Sequence, residues 1–136
     1  MKTLNREFVA IARELQPLRS LGVVHAGMKP PGAEALPPES VFRFDPPVPP
    51  MNYKPPERVR GALLGLFGPA GRSNAAAATH ALVVNLDYGA EATLGLRGPS
   101  SLEVFDAGLA QWAAGSDARI ELRLPGGHGK LVRLRR

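Results

Sequence analysis

The spacing of hydrophobic positions changes near residue 20. Before it, Leu4, Phe8, Ile11, Ala12, Leu15 and Leu18 recur at intervals of three and four. That spacing puts them on one stripe of an α-helix, with Arg6, Arg13 and Gln16 on the other side. Thr3 is placed to cap the start, and Pro17 and Gly22 mark the end. A lone helix of this length is marginal in water, so its stripe needs a surface to cover. Val23-Val24-His25-Ala26 then reads as a short strand.

From Val59 onward the period is two. Strands are expected at 59–67, 78–88, 91–97, 102–106, 118–124 and 130–135. The turn signals between them are Gly68-Pro69-Ala70-Gly71, Gly89, Gly98-Pro99-Ser100 and Gly115-Ser116-Asp117. Leu82, Val84 and Leu86 alternate with Val83, Asn85 and Asp87, and Ala92, Leu94 and Leu96 alternate with Thr93, Gly95 and Arg97. Each alternation predicts one buried and one wetter face. Beyond Arg60 the 59–67 stretch is apolar on both sides, which predicts a central strand with the helix on its outer side. The fold class implied is mainly β, an antiparallel sandwich of about six to eight strands with one N-terminal amphipathic helix.

The last two strands read as a hairpin, and register can be argued because a one-residue slip turns every side chain to the wrong face. A five-residue loop, Pro125 to Gly129, pairs Leu124 with Lys130. Leu122 then meets Val132 and Ile120 meets Leu134 on the core face, while Glu121 meets Arg133 on the solvent face. Each such cross-strand pair contributes about 0.2–1 kcal/mol. Arg119 falls opposite Arg135 and must splay or find a carboxylate, and Leu131 faces outward.

Between helix and strands, Met28 to Pro56 holds ten of the 14 prolines. Proline removes ladder donors and extends the residue before it, so this segment is expected to be an extended strap with one edge strand at Val41-Phe42-Arg43-Phe44. An irregular stretch this long usually spans two bodies or forms a lid. The organisation is therefore 1–27 helix and short strand, 28–58 strap and 59–136 sandwich, within one compact domain.

Composition adjusts this picture only slightly. Hydrophobic residues at 44% and charged residues at 21% are those of a soluble globular chain, and 15 Gly with 14 Pro favour turns. No cysteine is present, which excludes disulfides and thiolate chemistry. The net charge of +5 is scattered except at Lys130, Arg133, Arg135 and Arg136, so a solvated basic face is a better reading than a nucleic-acid surface. No apolar run reaches the roughly 20 residues of a membrane span, and the N-terminus has no signal-peptide core.

No catalytic constellation emerges. His25, His80 and His128 sit on separate elements without ligand spacing, so no metal is expected. Glu103 and Asp106 fall on opposite faces of one strand, which is poor geometry for paired acid and base work. Gly126-Gly127-His128-Gly129 lacks the Lys-Ser/Thr of a phosphate loop, and Ser100 and Ser101 lack a nucleophile elbow. Trp112, the only tryptophan, could stack on a sugar ring or pack over the sandwich edge, and packing is the better reading. Tyr53 and Tyr88 are the other candidate platforms.

The stretch Ser101 to Trp112, followed by Ile120 to Leu134, resembles the closing strands of C-terminal β-sandwich domains in glycoside hydrolases: a strand ending in Asp, a Trp-bearing connection, a strand ending in Leu-Pro, a Gly-rich turn and a final strand. Leu4-Asn5-Arg6-Glu7-Phe8 to Leu21-Gly22-Val23-Val24-His25-Ala26-Gly27 resembles the last helix of a (β/α)8 barrel in glycosidase-like bacterial proteins, with its exit into the sandwich. In that family the acid and nucleophile carboxylates lie on barrel strands, so the resemblance carries no catalytic residue and no cofactor onto this chain. It implies a non-catalytic accessory domain whose helix and strap contact a barrel or another subunit, including a second copy. A carbohydrate-binding module using Trp112, Tyr53 and Tyr88 is the alternative, and a small basic nucleic-acid binder the weaker one.

Overall fold

The structure, a computed structural model, describes residues 2–29, 31–37, 40–49, 61–71, 74–113, 115 and 117–135, with side chains from Arg6 onward. Helix α1 (Lys2–Leu15) leads into β1 (Leu18–Gly27), β2 (Glu34–Ala35), β3 (Arg43–Phe44), β4 (Gly61–Pro69) and β5 (His80–Asn85). Then follow β6 (Ala92–Arg97), β7 (Leu102–Asp106), β8 (Gln111–Ala113), β9 (Arg119–Leu124) and β10 (Gly129–Leu134). Two sheets result, one ordered β2-β1-β4-β5-β10-β7-β8 and the other β3-β6-β9. All pairings are antiparallel except β1 with β2.

The sheets share one core. Val24, Leu64, Val83 and Val132 from the larger sheet meet Phe44, Leu96, Leu122 and Leu124 from the smaller. Full burial of such a side chain stabilises by about 1.5–3 kcal/mol. The sandwich architecture thus follows from the period-two pattern, and β4 is internal to its sheet as its two-sided apolarity predicted. In β5, however, the buried face carries Ala81, Val83 and Asn85, while Leu82 and Val84 are only half-buried. Alternation fixed the two faces of this strand, but not which of them meets the other sheet.

The closing hairpin is not formed. β9 pairs with β6 in the smaller sheet, Leu122 opposite Leu94 and Glu121 opposite Gly95. β10 lies between β5 and β7 in the larger one, so the Pro125–His128 segment crosses between sheets. Arg133 pairs in register with Glu103 and His80 instead of Glu121. Leu131 is fully buried instead of facing outward. The physical reason lies in the layers: Val132 faces the core shared with the smaller sheet and Leu131 the opposite face beside Ile11 of α1, so both need to be apolar. Arg119 does find a carboxylate, with Nε 3.5 Å from Asp45 Oδ2.

Asn85 fastens the crossover. Its buried side chain donates through Nδ2 to Leu124 O (3.0 Å) and Ala90 O (2.9 Å), and Oδ1 accepts from the Asp87 amide. Its own amide donates to His128 O, and its carbonyl accepts from Gly127 N. Three of these five hydrogen bonds, to Leu124, Gly127 and His128, join the end of β5 to the crossing, and the other two hold the connection that follows β5.

Two boundaries also shift. The helix begins at Lys2, ahead of the expected cap Thr3, and ends at Leu15, so Leu18 opens β1. Gly22 lies within β1 at a bulge with φ of 136°, a conformation open to glycine. In the strap, Arg43 and Phe44 form an edge strand as predicted, while positions 30, 38, 39 and 50–60 lie outside the described residues.

Candidate functional site

Strand register builds an aromatic cluster on the sheet face opposite the core. β7 and β8 flank the Asp106–Ala110 turn and set Phe105 opposite Trp112. Their rings lie 5.1 Å apart and tilted. His80 meets the same indole edge-on at 5.7 Å. Arg133, placed between His80 and Glu103 by the ladder, lays its guanidinium 4.0 Å from the Trp112 ring centroid. Its Nε donates to Glu103 Oε1 at 3.0 Å, which holds the guanidinium in place. A stacked cation of this kind contributes about 0.5–2 kcal/mol.

Helix α1 closes over this cluster. Trp112 Nε1 donates to Glu14 Oε2 at 3.3 Å. Ile11 shares a cleft of about 360 Å³ with Phe105 and Leu131. Both of those residues are buried outside the shared core. The contacts of Glu14 and Ile11 thus run to β8, β7 and β10, whereas the sequence suggested a seat on the 59–67 strand.

The inward face of α1 is made by Glu7, Ile11, Glu14 and Leu15, all half-buried. The predicted stripe divides: Ile11 and Leu15 turn inward, but Phe8 and Ala12 turn to solvent. Phe8 is 72% exposed and its neighbour Val9 46% exposed. Two acidic side chains therefore sit on the sheet side while a phenylalanine faces water. The Glu14–Trp112 hydrogen bond gives one inward carboxylate a partner.

The three candidate platforms are not assembled. Tyr53 lies outside the described residues. Tyr88 is 80% exposed in the β5–β6 connection, with its ring over Gly127, and no ring contact joins it to Trp112. A ring face of Trp112 on which a sugar could stack is occupied by Arg133. Sequence reasoning missed Arg133, Glu103 and Glu14 as its partners, although Phe105 and Trp112 flanking a Gly-containing turn is a hairpin signal. Among the described residues, no group of three side chains could hold a metal ion, and no helix is long and apolar enough to cross a membrane.

Comparison with known proteins gives no matching family model, curated protein or solved structure.

Proposed function

We propose that this chain is a non-catalytic accessory β-sandwich of a glycoside hydrolase-like protein, and that it docks on a (β/α)8 barrel through the outward face of α1. The observation that carries the reading is the exposed Phe8, with Val9 beside it, on a helix whose other side is already seated on the sheet. Continuity supports the choice of neighbour: the segment that bears this face is the one that resembles the last helix of such a barrel. Phe8 and Val9 are neighbours, and contiguous exposed apolar surface, unlike a lone exposed side chain, marks an interaction site. The carbohydrate-binding reading is weaker, because Arg133 stacks on the indole that would serve as the platform.

The test uses the dye 8-anilinonaphthalene-1-sulfonate and a panel of oligosaccharides. The native chain should enhance dye fluorescence, and Phe8→Ser with Val9→Ser should remove most of that enhancement. Trp112 emission should stay unchanged across the glycan panel. A saturable change in Trp112 emission with one glycan, or dye binding indifferent to the paired substitution, would contradict the proposal.

A further inference from the structure

A cavity of about 660 Å³ lies between the β1–β2 margin of the larger sheet and β3 of the smaller. Small-molecule sites commonly measure about 300–1,000 Å³. Among the described residues, none of α1 lines this one, and Phe8 and Val9 of the docking face are not part of it. Its walls are mainly apolar, with Leu36, Phe44 and Val48 among them.

The polar groups at the cavity are mostly of one sign. Lys29, Arg43 and Arg97 stand against a single carboxylate, Asp45. Asp45 is already engaged, with Oδ2 2.9 Å from Arg97 Nη2 and 3.5 Å from Arg119 Nε. Lys29 and Arg43 make no ion pair among the described residues. His25 also lines the cavity, and its Nδ1 is buried from solvent without a hydrogen-bond partner. Buried polar atoms without partners are uncommon, and each one asks for an explanation.

Apolar walls and two cations without an ion pair among the described residues together define one ligand chemistry. We propose that the cavity binds a small amphipathic carboxylate. Its aliphatic body lies against Leu36, Phe44 and Val48, and its carboxylate is held by Lys29 and Arg43. The apolar contacts supply affinity, while the charged groups select acid over alcohol, since a carboxylate accepts charge-assisted hydrogen bonds that a hydroxyl does not.

Isothermal titration of the full chain with decanoate, decan-1-ol and decyltrimethylammonium, each below its micelle-forming concentration, tests this. Decanoate should bind saturably with one site, the alcohol at least tenfold more weakly, and the cation not measurably. Lys29→Ala with Arg43→Ala should weaken decanoate at least tenfold and leave the alcohol unchanged. The proposal is overturned if decanoate shows no saturable heat, if the alcohol binds as tightly, or if the folded double variant keeps its decanoate affinity. Should that variant lose its circular dichroism spectrum, the acid and alcohol comparison on the native chain decides.

Discussion

Arg133 stacks on Trp112 and hydrogen-bonds Glu103, so one side chain ties β10 to both β7 and β8. Arg133→Ala would free the indole face and leave Glu103 without its partner, at a cost of about 1–3 kcal/mol. A chemical denaturation series followed by tryptophan emission checks the cost, and the emission spectrum of the folded variant should shift as water reaches the ring. Asn85 is more deeply placed. Asn85→Ala deletes three side-chain hydrogen bonds and strands the carbonyl of Leu124, so it should cost about 2–4 kcal/mol in the same assay. Gly95 is required for space: a Cβ there would run into the Asp45 carbonyl oxygen and come within 2.5 Å of Arg119 Nη2. Gly95→Ala should therefore pull the strap from β6 and cost more than about 2 kcal/mol, since neither the backbone nor the paired guanidinium can give way freely.

At the scale of elements, α1 is a satellite held by few contacts. Ile11→Ala should loosen it by about 1–2 kcal/mol, a fraction of a fully buried truncation because the residue is half-buried. Hydrogen exchange checks this: amides of α1 should exchange faster while those of β4, β5 and β10 keep their protection. Strands β4, β5, β6, β7, β9 and β10 were legible in the sequence, because the period-two pattern from Val59 onward reflects a real alternation of faces, whereas the three-residue β8 was not expected. Leu102–Asp106 carries the expected boundaries. What the pattern could not distinguish was a hairpin from a crossing between sheets, since Ile120, Leu122 and Leu124 present the same inward set in either arrangement. Adjacent Leu131 and Val132 did hold the distinction, as both are buried only in a strand covered on both faces, here by the smaller sheet on one and on the side of α1 on the other. For the helix, spacing correctly gave an amphipathic element, but its side toward the sheet was decided by Trp112 and Glu14, 98 residues apart. No local pattern carries that contact.

Across the whole molecule, a seven-stranded sheet is covered by a three-stranded one on its inner face and by a single helix on the other. The helix completes the Trp112 cluster and still turns Phe8 and Val9 outward. The accessory role proposed above requires this division: one face for the chain's own stability and another for its neighbour. Expressed without that neighbour, the chain should use the same surface to meet itself, because apolar area removed from water drives association in either case. Sedimentation equilibrium over a range of concentrations, comparing the native chain with Phe8→Ser and Val9→Ser combined, tests the docking face most directly. The account predicts concentration-dependent self-association of the native chain and a monomeric, folded double variant. A native chain that remains monomeric throughout, or a double variant that associates as strongly, would contradict it.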